Sequence, residues 1–110
     1  MTATQPVEAQ WIKDETKPLD VRDDINATLE ARGKRYGSFV GHATITQALK
    51  DVMRAAPGWD KLRPTQKESL EMNVHKIGRI LNGDPDYDDS WVDIAGYSQL
   101  IVKELHGEIM

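Results

Sequence analysis

The chain has 110 residues, 39% of them hydrophobic, no cysteine and a formal charge of −4 at pH 7. This is the length of one domain with a modest core. Without cysteines there is neither a disulfide frame nor a thiolate metal site, and no run approaches the ~18 apolar residues of a membrane span. The acidic balance, with a pI near 5.3, argues against a nucleic-acid duplex as the main partner, which needs a basic face. It leaves a small phosphorylated ligand open. No apolar stretch near the N-terminus resembles a secretory signal, so the expected location is the cytoplasm. The apolar fraction is low for a compact monomer, which points to burial through self-association.

Residues 1–21 are polar, carry two prolines and show no sustained period. They read as a flexible arm whose only sizeable apolar group is Trp11-Ile12. Residues 22–110 form the expected helical domain. Ile25 and Leu29, at i,i+4, predict a short first helix over 22–32 that Gly33 ends as a C-cap. A connection containing Tyr36, Gly37 and Phe39 follows. From His42 to Ala56 the positions Ile45, Ala48, Leu49, Val52 and Met53 keep helical spacing, and Pro57-Gly58 closes that helix.

Thr65 and Glu68 match a capping box just after Pro64. Leu70, Val74, Ile77 and Leu81 then give a third helix its apolar stripe, ended by Asn82-Gly83. An acidic turn, Asp84 to Asp89, leads to a fourth helix from about Ser90 to Leu105. Its expected core face is Trp91, Ile94, Ala95, Ser98, Ile101, Val102 and Leu105, and Trp59 is also expected in the core. No run alternates with period two, so the predicted fold is all-α, a compact bundle of about four helices.

The chain lacks a phosphate loop, a dinucleotide-binding glycine motif, a His-Glu-x-x-His zinc motif and a nucleophile elbow. The acidic turn has Asp84, Asp86 and Asp88 at the first, third and fifth places of a calcium loop. It fails as one because Asp89 stands where glycine is needed and Ala95 where a bidentate glutamate is needed. More informative is Asp89-Ser-Trp-Val-Asp93-Ile-Ala-Gly-Tyr97. At 3.6 residues per turn Asp89, Asp93 and Tyr97 share one helical stripe. Asp89 and Asp93, together with Glu68 and Glu71, supply the hard oxygen donors that magnesium or manganese prefers.

Each carboxylate also has a structural reading. Glu68 is either a ligand or the capping partner of Thr65; Asp89 and Asp93 are either ligands or N-terminal residues favoured by the helix dipole, with Ser90 and Asp93 forming a capping box. Glu71 is a ligand or part of a solvated face. In an antiparallel pair Glu68 and Glu71 start one helix and Asp89 and Asp93 the next. The four then lie at opposite ends and converge only through another crossing angle or a second subunit. His75 and Arg79 continue the stripe of Glu71. Lys76 and Arg79 are candidates for phosphate contacts, Arg79 by its planar fork, or for a salt bridge to Asp86, Asp89 or Asp93. His42 lines a pocket or lies on the surface, and Tyr36-Gly37 stacks a base or anchors a turn.

The runs Arg32-Gly-Lys34-Arg35-Tyr36-Gly37-Ser-Phe39, Leu70-Glu71 with Lys76-Ile-Gly-Arg79-Ile-Leu-Asn-Gly83, and Asp89 to Tyr97 resemble a family of small all-helical phage and prophage proteins, over about residues 25–105. That pattern is in turn similar to the MazG-like all-α nucleoside triphosphate pyrophosphohydrolases. This resemblance implies metal ligation by Glu68, Glu71, Asp89 and Asp93, with Glu71, Asp89 and Asp93 catalytic. It implies Mg2+, or Mn2+, as the cofactor that lowers the pKa of a water, and substrate contacts from Arg32, Lys34, Arg35, Tyr36, His42, His75, Lys76, Arg79 and Tyr97. It also implies a homo-oligomer, dimer or tetramer, in the host cytoplasm if the chain is phage-encoded. Lys67 stands where MazG-like proteins carry an acid, and the acids are spaced by three and four. The alternative is therefore a phage nucleotide-binding protein that sequesters an immune signalling nucleotide without turnover. A third possibility is a protein that binds a host protein.

Overall fold

A computed structural model describes residues 21–109. The arm expected over residues 1–21, apart from Val21, lies outside the described residues. Among them the fold is all-α, as expected: α1 (Val21–Tyr36), α2 (Phe39–Ala55), α3 (Pro64–Asn82) and α4 (Asp88–Leu105), with a single 3-10 turn at Trp59–Lys61 and no strand. No helix is long and apolar enough to cross a membrane among the described residues. The chain divides into two units, residues 1–31 and 32–110. Of the first, the described part is the opening of α1, where Thr28 Oγ1 donates to the Asp24 carbonyl at 3.0 Å and Val21, Ile25 and Leu29 are exposed.

Gly33 does not end α1. The helix runs on through Lys34 and Arg35, because a glycine inside a helix costs only about 1 kcal/mol and good helix formers follow it. The capping glycine is Gly37, at φ +78, whose N–H donates to the Gly33 carbonyl at 2.9 Å. The expected long connection shrinks to two residues. Ser38 is the N-cap of α2, its hydroxyl accepting from the Gly41 N–H at 3.0 Å, so α2 starts three residues before His42.

The capping boxes also differ from expectation. Thr65 lies inside the first turn of α3, and its hydroxyl donates to Glu104 at 2.8–2.9 Å. Gln66 takes the reach-back role, its Oε1 accepting from the Arg63 N–H at 2.9 Å. In α4 the cap is Tyr87. Ser90 is buried inside the helix and caps nothing.

In the second unit α2 and α4 both pack on α3 and not extensively on each other. The residues of α3 that meet α2 are Glu71, His75 and Gly78; those that meet α4 are Thr65, Ser69, Asn73 and Lys76. At 100° per residue these sets lie on nearly opposite sides of the α3 cylinder. The three helices therefore form a layer with α3 in the middle. Each predicted apolar stripe exists, but a single layer covers little of it: Val74, at 5% exposure, is the one buried hydrophobic side chain among the described residues. Trp91, expected in the core, is 54% exposed, with its indole N–H donating to the Pro85 carbonyl at 2.8 Å. Trp59 is half-buried in the 3-10 turn.

Candidate functional site

One face of the layer is polar. On α3 it carries Glu68, Met72, His75, Lys76 and Arg79. On α4 it carries Asp89, Asp93, Gly96, Leu100 and Glu104; apart from the adjacent His75 and Lys76, each set is spaced by three or four residues. Two pairings fix this register. Lys76 Nζ lies 2.9 Å from Asp93 Oδ2, and a cleft of about 480 Å3 is lined by the apolar side chains of Leu100, Ile101 and Ile109 and flanked by Glu68, Tyr97 and Glu104.

The Asn82-Gly83 end of α3 holds the α1–α2 turn. Asn82 Nδ2 donates to the Tyr36 carbonyl at 2.7 Å and to the Ser38 carbonyl at 2.8 Å, and the Asp84 N–H donates to the Arg35 carbonyl at 2.6 Å. A side chain at Gly37 would run into Asn82, and one at Gly83 into the backbone of Arg35 and Tyr36. This close approach builds a ladder of alternating cations and rings. The Arg79 guanidinium lies 4.2 Å over the Tyr36 ring, Tyr36 meets Tyr87 edge-on at 6.1 Å, and Arg35 lies 4.8 Å over Tyr87. Such stacking orients a guanidinium without neutralising it. The Tyr87 hydroxyl donates to Asp89 Oδ2 at 3.0 Å, and that bond, ahead of burial, raises its pKa above the usual value.

Beside the ladder, the side chain of Lys76 is only 11% exposed while that of its partner Asp93 is 45% exposed. His42, which could have lain on the surface, is buried. Its Nε2 lies 3.0 Å from the His75 carbonyl, so that nitrogen carries the proton, and its ring meets the His75 ring edge-on at 4.6 Å. Burial, and next the charge of His42, lower the His75 pKa to about 4. His75 is neutral at pH 7 and is not a phosphate-binding cation.

The predicted residues thus separate. Arg35, Tyr36 and Arg79 come together, with Lys76 and Asp93 paired alongside. Arg32 and Lys34 are exposed on α1, and Tyr97 lies down the face beside Glu68. Arg79 stacks on Tyr36 where a salt bridge to Asp86, Asp89 or Asp93 had been the structural expectation.

Glu71 is held by Arg54 through two 3.0 Å hydrogen bonds. Among the described residues no group of three or more His, Asp or Glu side chains gathers to hold a metal ion. The donor set of one copy, with Glu71 and Asp93 each tied to a cation, does not fit a magnesium ion. Sequence reasoning missed Tyr87, Asn82 and Arg54. Arg54 pairs with Glu71 at a separation of 17 residues and Asn82 with Tyr36 at 46, and Tyr87 meets Tyr36 from another helix, so no local spacing announces them.

No family model matches the chain, and no solved structure matches it. The chain is similar to large ribosomal subunit protein uL30 of Aeropyrum pernix, 30% identical over 97 residues that make up 83% of this chain and 60% of that protein. It therefore spans about 60% of that relative's length.

Proposed function

We propose that the polar face binds a nucleotide and holds it without turnover. The observation that carries this reading is the ladder of Arg35, Tyr87, Tyr36 and Arg79 beside Lys76. Two oriented guanidiniums offer forked donors to phosphate oxygens, and the two tyrosine rings offer a stacking surface for a base. Lys76 supplies a further cation once a phosphate displaces or shares Asp93. A MazG-like magnesium-dependent pyrophosphohydrolase is the second reading. It is supported by Glu68, Asp89 and Asp93 lying on this same face, with Glu71 turned toward Arg54 of α2. Arg54 on Glu71 and Lys76 on Asp93 weigh against it. A place in a ribosomal subunit is not adopted, because a formal charge of −4 opposes binding to extended nucleic acid.

The test is incubation of the purified chain with a panel of nucleotides, cyclic dinucleotides included, with magnesium and then with EDTA, followed by chromatography before and after heat denaturation. A nucleotide that leaves solution and returns unchanged on denaturation is the expected result. Release of pyrophosphate only with magnesium would replace it with the second reading. Indifference to every nucleotide would leave a protein partner.

A further inference from the structure

At the N-terminal end of α3 and the C-terminal end of α4 the two helices enclose a groove of about 480 Å3. Its walls follow helical spacing, with Thr65 and Glu68 on α3 and Tyr97, Leu100, Ile101 and Glu104 on α4. It therefore runs along the helix axes for two turns, about 10 Å. The polar atoms at its seam are taken. The Ser69 hydroxyl donates to the Tyr97 carbonyl at 3.1 Å, and the Thr65 hydroxyl donates to Glu104 at 2.8–2.9 Å. What remains for an occupant is apolar: Leu100, 47% exposed, then Ile101, with Ile109 wholly exposed at the open end.

The rim is acidic. Glu104 is held by Arg63 at 3.2 Å, whereas Glu68 and Glu108 have no salt-bridge partner among the described residues. Two uncompensated carboxylates thus flank the apolar floor, Glu68 from the α3 wall and Glu108 just past the end of α4. They repel a phosphate-bearing ligand, and the cation–ring ladder lies ~15 Å further along α3.

We infer that this groove receives a basic amphipathic helix of another protein, its apolar stripe seated between α3 and α4 and its Lys or Arg side chains meeting Glu68 and Glu108. Two turns match the i, i+3, i+4 and i+7 anchors by which an amphipathic helix occupies a groove, and the rim sets the sign of the flanking charges. Charge favours neither the chain's own N-terminal segment nor a second copy. Residues 1–20 carry Glu8, Asp14, Glu15 and Asp20 against Lys13 and Lys17, and the whole chain has a formal charge of −4. The inference is independent of the nucleotide reading.

The experiment is fluorescence anisotropy of the full chain with a labelled helical peptide of Leu and Lys, its Leu at i, i+3, i+4 and i+7. A counterpart with Glu in place of Lys is the comparison. The Lys peptide should bind saturably and the Glu peptide should not. Glu68→Lys and Glu108→Lys should each weaken the Lys peptide, by about tenfold when combined. Leu100→Ser should weaken it with an unchanged circular dichroism spectrum. Asp51→Lys, the same change of charge at an exposed position of α2, should leave it unaffected. Weakening by Asp51→Lys equal to that by Glu68→Lys would reduce the attraction to net charge and overturn the inference, as would equal binding of the two peptides. A chain that ignores the Lys peptide would overturn it too. Recovery of binding on dilution of the chain would then give the groove to a second copy, and recovery in a Trp11→Ser, Ile12→Ser variant would give it to the chain's own N-terminal segment.

Discussion

Lys76 Nζ lies 2.9 Å from Asp93 Oδ2, and the two ends of this bond differ in environment: the lysine side chain is 11% exposed, its partner 45%. The attraction spans α3 and α4 at the centre of the polar face. Its value lies less in the Coulomb energy, which solvent at Asp93 screens, than in what would follow its loss. An ammonium with little access to water and no counter-charge is costly.

Removing one partner should therefore cost more than removing the charge itself. Asp93→Asn leaves Lys76 uncompensated and should lower stability by about 1–2 kcal/mol, a value reduced from that of a fully buried pair because Asp93 is wet. Lys76→Met replaces the cation by an apolar side chain of similar length and should cost less. Urea denaturation of the three proteins checks the order. Equal losses would mean the bond itself carries the stability.

Gly78 marks a close approach of α2 and α3. A Cβ there would run into Thr46 Cγ2 and lie 3.0 Å from His42 Cδ2. Thr46 is β-branched and also bonds the His42 carbonyl at 3.0 Å, so it has no easy rotamer to escape to. Gly78→Ala should destabilise by about 1–3 kcal/mol through overpacking, in spite of alanine's ~1 kcal/mol advantage inside a helix. Adding Thr46→Ala should recover most of the loss. A stabilised Gly78→Ala chain would show that the two helices separate without penalty.

What was legible in the sequence follows from range. The apolar period of α2, α3 and α4 is local, and it gave their bounds to within two or three residues. Arg35-Tyr36 and Lys76 to Arg79 were legible only as two separate basic runs; that Arg79 stacks on Tyr36 was not, because the contact is made between α3 and the α1–α2 turn. The fate of the apolar stripes was not legible. Period identifies Leu70, Ile77 and Leu81 as one face of α3, but whether that face is covered depends on α2 and α4 lying on opposite sides of α3. The pairings of Glu71 with Arg54 and of Asp93 with Lys76 depend on register between helices. A one-dimensional reading offers those carboxylates as metal ligands equally well.

His75 gives the chain a pH dependence of definite sign. Its pKa is about 4 in the folded chain, below the ordinary 6.5, so between those values the unfolded chain binds more protons than the folded one. The stability linked to His75 is complete above about pH 6.5, declines as pH falls through that window, and is gone below about 4. The urea midpoint should fall between pH 7.5 and pH 4.5, and His75→Gln should flatten that fall. A variant with the wild-type slope would place the acid sensitivity elsewhere.

Asn82 is the residue that holds the ladder in place. Its amide N–H groups go to the Tyr36 and Ser38 carbonyls at 2.7 and 2.8 Å, joining the end of α3 to the turn that carries Arg35 and Tyr36. Asn82→Asp keeps the shape, removes both donors and sets a carboxylate against two carbonyl oxygens. It should cost about 1–3 kcal/mol, the penalty of leaving acceptors unpaired. If the ladder forms the binding surface, the same substitution should also weaken nucleotide binding more than Glu68→Gln does, since Glu68 lies far down the face beside Leu100 and Glu104. Isothermal titration with whichever nucleotide the panel retains separates the two. Equal weakening would mean that the turn does not position the ligand.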